Sequence, residues 1–249
     1  MWNALVALRE EALRLCGSTT ASHRPKLYEL LAIAFQNSHI ASWRPQYLER
    51  VVDCYREAVD TTPDDDPHKP ELLLNFSKAL MTLQLVANDI VPIEEALRWN
   101  RLAIRLLPNP ADTSVEYHRS LADILRRRYM YEGSHKDIEE VLGFLLTAID
   151  QAQSLKEKLV CMDSLAVAYR SRYTVNQDIT CLWKALRMHS RAAALATSEG
   201  EKDVWRDLSE GLVRDLRDLS EESSDVDAIL RAISVQKGCR PMTFGERLR

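Results

Sequence analysis

Glycine is scarce in this chain of 249 residues, with seven in all, and no Gly-rich phosphate loop can be assembled from them. The patterns H-E-x-x-H and G-x-S-x-G are missing too, so the common local signatures of nucleotide, zinc and acyl-transfer sites are absent. Five cysteines, Cys16, Cys54, Cys161, Cys181 and Cys239, lie far apart with no C-x-x-C pair, and read as reduced thiols. No window approaches the ~18 consecutive apolar residues of a membrane span, and no basic segment leads into an apolar run at the N-terminus. Neither sign of charge dominates: 33 Lys and Arg face 37 Asp and Glu, for a net charge of −4, which gives no global field for nucleic acid or an anionic membrane. These absences predict a soluble, intracellular and most simply cytoplasmic protein with no cofactor, no metal and no membrane contact.

What is present is a period. The motif Leu31 to Phe35 returns in altered form as Phe76 to Leu80, Leu121 to Leu125, Leu165 to Tyr169 and Leu208 to Leu212, with starts 45, 45, 44 and 43 residues apart. A second register runs through Ala12, Ala58, Ala103, Ala148 and Ala192 at steps of 46, 45, 45 and 44. A fixed period of this length marks one supersecondary unit that buries its apolar face by stacking on its neighbours. Two registers with one period make a helical hairpin. Helix A carries the Leu/Phe-Ala/Ser motif, and helix B, apolar at i, i+1, i+3 and i+7, ends near the recurring alanine. The small residues Ala32, Ser77, Ala122, Ala166 and Ser209 should sit at close helix crossings, as should the alanines of helix B. Asp137 and Asp178 read as helix-start acceptors, Pro92 as a first-turn proline, and Pro63 and Pro108 as helix stops.

The expected fold is therefore all-α, a solenoid of stacked antiparallel helix pairs with about eleven helices. A lone helix B at 2–16 opens it, four full pairs run from about Pro25 to Thr197, and a weaker fifth pair ends in a short helix at Val226 to Val235. The array would occupy 1–237, and the tail 238–249 should be poorly ordered. The first helix lacks its partner, so Trp2, Leu5 and Val6 should expose an apolar patch suited to self-association, to a capping partner, or to the remainder of a longer array.

Helix B has a small residue early, a large one three or four on, a small one seven on, and proline five later at Pro63 and Pro108. In this it resembles the tetratricopeptide repeat, although the unit exceeds the ~34 residues of the standard repeat. The surplus is assigned mainly to the A-to-B loop, such as Tyr131 to Lys136. Strings such as Thr62-Pro63-Asp64-Asp65-Asp66-Pro67-His68 and Ile138-Glu139-Glu140 are similar to the long-unit arrays of fungal proteins, often attached to a caspase-like peptidase or a nucleotide-binding signalling domain. The resemblance implies a right-handed superhelix, a concave surface lined by A helices that binds partner peptides, and no catalysis.

The residues beside and after each motif would face that surface: Lys78, Arg119, Arg126, Arg127, Arg170 and Arg214, interleaved with Asp123, Asp163 and Glu210. Arginine's planar fork suits carboxylates and phosphate, so an acidic or phosphorylated peptide is the expected ligand. The position two after each motif start holds Ile33, Lys78, Asp123, Val167 and Glu210, without the asparagines that clamp a terminal carboxylate in chaperone-tail binders. Arg128-Tyr129 is echoed by Arg172-Tyr173, which places those arginines at the ends of A helices. The histidines His23, His39, His68, His118, His135 and His189 show no i,i+4 pairing and read as loop or surface residues rather than metal ligands. Glu139 and Glu140 read as first-turn acids, and Trp99, Trp183 and Trp205 as core. The leading reading is a protein-interaction module or adaptor. Two alternatives stand beside it: an enzyme or small-molecule receptor with a pocket inside the superhelix, and nucleic-acid binding through the arginine stripe.

Overall fold

In a computed structural model the chain is described at Ala7 and at residues 24–87, 89–107 and 115–223; Trp2, Leu5, Val6, Ala12, Pro108, the segment 226–235 and the tail 238–249 lie outside these. Among the described residues there are nine α-helices and no strand. They are α1 (Arg24–Ser42), α2 (Gln46–Thr61), α3 (Lys69–Ala87), α4 (Val91–Arg105), α5 (Val115–Glu132), α6 (His135–Gln151), α7 (Leu155–Asn176), α8 (Ile179–Leu195) and α9 (Glu199–Ser223). The odd-numbered helices are the A helices and the even-numbered ones the B helices. No helix among the described residues is long and apolar enough to cross a membrane.

The chain divides into two compact units, residues 1–124 and 125–249. In the first, α1 packs on α2, α2 on α3 and α3 on α4; in the second, α6 packs on α7, α7 on α8 and α8 on α9. The small positions explain this stacking. Ala32, Ser77, Ala122, Ala166 and Ser209 on the A helices are all buried, and so are Ala58, Ala103, Ala148 and Ala192 on the B helices. Around them lie the large residues of the motif, from Leu31 and Phe35 through Phe76 and Leu80 to Leu121, Leu125 and Leu165. In the second unit one cluster gathers Ala166 of α7, Leu182, Ala185 and Leu186 of α8, and Leu212, Val213 and Leu216 of α9, with Trp183 packed against it.

The extra length of the unit is in the helices and not in the A-to-B loop. Tyr131 and Glu132 continue α5, and the link to α6 is only Gly133 and Ser134. The A helices end in a repeated way. Trp43, Gly133 and Gln177 have φ of 53°, 68° and 57°, in the left-handed region. Each donates its N–H to the carbonyl four residues back, on His39, Tyr129 and Tyr173 at 2.6, 2.8 and 2.7 Å, which satisfies an orphan helix carbonyl.

Helix starts are mixed. Pro92 sits in the first turn of α4. Asp178 caps α8, accepting from the Thr180 N–H at 3.0 Å. Ser154 and Glu157 form a reciprocal capping box at α7. Asp137 departs from its expected role as a cap. It lies inside the first turn of α6, and its carboxylate accepts from Nε and Nη2 of Arg128, each at 2.7 Å, tying the end of α5 to the start of α6. Arg128 therefore serves an ion pair across the turn, and the C-terminal dipole is a secondary reason for its place. Between the first two pairs, buried Lys69 donates to the carbonyls of Val59 and Thr62, closing the end of α2 against the start of α3.

Candidate partner-binding surface

The A helices expose one position between buried neighbours. Two residues after each motif start, Ile33 and Glu210 are exposed and Lys78, Asp123 and Val167 are half-buried, while the residues immediately before them are all buried. The chemistry of this position changes from unit to unit, whereas the position before it is always Ala or Ser. Packing fixes the small residue and leaves its neighbour free to vary.

The expected site residues lie on A helices, and several are tied to the next A helix. Lys78 of α3 forms an ion pair with Glu116 of α5. Arg126 of α5 donates to the Ser171 hydroxyl of α7 at 3.2 Å, and Arg170 of α7 approaches Asp215 of α9 at 3.5 Å. Each of these two contacts spans 45 residues, so they are one contact repeated in successive units. The arginine stripe is in part a row of stitches between A helices, and its free charge is smaller than the sequence implied. Arg119 and Arg214 are exposed, and Arg127 is half-buried.

Two buried polar residues of helix B went unrecognised in the sequence. Asn100 is fully buried and donates to the hydroxyls of Ser77 on α3 and Ser120 on α5 at 3.3 and 2.9 Å. His189 occupies the same slot, three residues before the recurring alanine, and is 2% exposed; the reading of it as a loop or surface histidine is corrected. Its Nε2 lies 3.3 Å from Asp163 Oδ1 on α7, and its ring centroid is 5.9 Å from that of Trp205 on α9. The available signal was a polar residue in a periodic apolar slot, which Tyr55 and Leu145 fill in other units.

In the first unit, Arg56 of α2 donates to Glu95 of α4 at 3.2 Å and lies 5.8 Å over the Phe76 ring, while Trp99 donates to Glu95 at 3.3 Å. Phe76 and Trp99 are themselves in contact, with centroids 5.8 Å apart, so Trp99 is packing as expected. Glu139 pairs with Arg172 at 2.9 Å.

Burial dominates the titration of the groups that shift most. It pushes Tyr55 up to about 12, with Glu29 adding to the effect. It raises the Cys181 thiol, with Asp178 adding to the effect, which keeps the sulfur protonated and a poor nucleophile at neutral pH. It lowers His118, which favours the neutral imidazole. No group of three or more His, Cys, Asp or Glu placed to hold a metal ion occurs among the described residues. What the A helices offer chemically is a varied set of apolar, cationic and anionic side chains.

No family model matches the chain, and no curated protein matches it. Among solved structures it is similar to BtubC (BKLC) from P. vanneervenii, at 18% identity over 88% of this chain and 91% of that one, with a TM-score of 0.44. A likeness at that level is too weak to fix fold or function.

Proposed function

We propose that this chain is a tetratricopeptide-like array, a right-handed stack of about eleven helices, that acts as a protein-interaction module in the cytoplasm and has no catalytic role. Its A-helix faces hold a segment of a partner protein. The observation that carries this reading is the exposed or half-buried position beside the buried small residue: Ile33, Lys78, Asp123, Val167 and Glu210 differ in chemistry on helices whose packing residues repeat. A surface that varies while its support stays constant is suited to selective contact with an irregular ligand. Asparagine is missing from that position, so capture of a terminal carboxylate is not the mode.

The test is affinity purification from the native cell followed by a peptide array made from the retained protein. Ile33→Glu and Arg214→Glu alter exposed groups and leave the stitches at Arg126 and Arg170 intact. Each should reduce retention of the mapped peptide, by about tenfold where the contact is desolvated. Wild-type affinity in both variants, with folding confirmed by circular dichroism, would overturn the assignment of the A-helix faces as the binding surface.

A further inference from the structure

The slot three residues before the recurring alanine is where helix B meets the A helices of its own unit and the next. Asn100 in that slot has two serine hydroxyls to receive its amide protons. His189 has no equivalent. Neither ring nitrogen makes a hydrogen bond, although the imidazole is 2% exposed. The Asp163 carboxylate is close enough for an ion pair at 3.3 Å, but no hydrogen bond joins the two. A buried polar group without a hydrogen-bond partner costs free energy, which marks the slot as a place that packing alone does not explain.

What converges there is one-sided in its chemistry. The Asp163 side chain is 42% exposed and offers carboxylate oxygens, and the half-exposed Trp205 ring offers a π-face. The imidazole lies beside the carboxylate with both ring nitrogens closed to solvent. An accessible carboxylate and a π-face meet with no cation of the protein within ion-pair distance of Asp163 other than His189 itself, among the described residues. The nearby basic residues of α9 are engaged on their own helix: Lys202 with Glu199 at 2.7 Å and Arg206 with Asp203 at 2.6 Å. Helix α9 as a whole carries nine Asp and Glu against four Lys and Arg, so the surrounding field is negative. An anion is repelled by this arrangement, and a neutral apolar group makes no use of the carboxylate. A group with several N–H donors and a positive charge satisfies both accessible elements, through hydrogen bonds to the carboxylate and cation–π attraction to the indole.

We propose that Asp163, His189 and Trp205 form a subsite for a lysine or arginine side chain of the partner protein. The proposal rests on the reading of the chain as a peptide-binding module and adds a charge preference to it. It reverses, for α7 to α9, the acidic-peptide preference drawn from the arginines, because Arg170 is occupied by Asp215 while Asp163 is left with a ring that does not hydrogen-bond to it.

An array of random twelve-residue peptides, probed with the full chain, separates the two propositions. The subsite requires that retained peptides be enriched in lysine or arginine. It also requires Asp163→Asn, which keeps the shape and removes the charge, to weaken the basic peptides by about fivefold or more and spare the others. A basic peptide from the array should shift the indole N–H resonance of Trp205, assigned with Trp205→Phe. Retention without a basic preference, or with Asp163→Asn behaving as wild type, overturns the subsite and leaves the interaction module standing. Retention of no peptide overturns both.

Discussion

Three backbone angles in the left-handed region recur at the ends of A helices, and only one of them belongs to glycine. An L side chain there costs about 1–2 kcal/mol, part of which glycine's extra unfolded freedom offsets. Trp43 is 81% exposed, and Gln177 is also exposed, so little packing opposes the change. Gln177→Gly should therefore raise stability by roughly 0.5–1 kcal/mol, and Gly133→Ala should lower it by about 1 kcal/mol, read from urea midpoints. Identical midpoints for all three proteins would show that the turn geometry carries no strain. One residue beyond Gln177, Asp178 is held below its ordinary value of 3.8, chiefly by hydrogen bonds from the Thr180 side chain and then its backbone N–H. A depressed folded pKa supplies stability above the unfolded value and loses it as pH falls through the folded one. Asp178→Ala should accordingly cost about 1 kcal/mol at neutral pH, and the gap should close as the solution is taken well below pH 4. A gap that persists in strong acid would assign the loss to something other than the charged cap.

At the scale of elements, the period and its small residues were legible because both are local patterns: a helix face and the need for a close crossing. Ala103 and Ala148 are fully buried where the sequence placed them. Leucine at either should overpack the crossing and destabilise by about 1–3 kcal/mol. The A-to-B link was misread because nothing in Tyr131 or Glu132 marks a loop; α5 runs on until Gly133 adopts a positive φ. Asp137 was misread for a different reason. A carboxylate in a first turn looks like a dipole partner, and only the fold brings Arg128 to it across the turn. Their side chains are 19% and 5% exposed, so removing the cation strands a nearly buried carboxylate. Arg128→Met should cost about 2–3 kcal/mol, less than a fully buried pair, and Arg128→Met with Asp137→Leu should recover much of it. A double mutant no more stable than the single one would deny the coupling. Of the candidate site, the helices that carry its residues were legible from spacing; the stitches from Arg126 and Arg170 and the burial of His189 were not, since each depends on a residue of another helix distant in sequence.

Along the whole chain a further period emerges once exposure is known. Ile40, Leu85, Met130 and Val175 stand 45 residues apart near the ends of four A helices, and all four are exposed. Their register follows the repeat, yet they differ from most of its apolar positions, which are buried against a neighbouring helix. A stack is stabilised by the interfaces between successive elements, so residues outside those interfaces contribute little to folding. Val175 makes the nearest approach to packing, with its Cγ1 4.0 Å from where a side chain at Gly133 would begin. Replacing Ile40, Leu85 and Met130 by Gln and Val175 by Thr should change stability by no more than about 0.5 kcal/mol per site, while binding of a hydrophobic dye falls. A combined loss of several kcal/mol in the urea midpoint would place these residues in the core and require the helix ends to be covered.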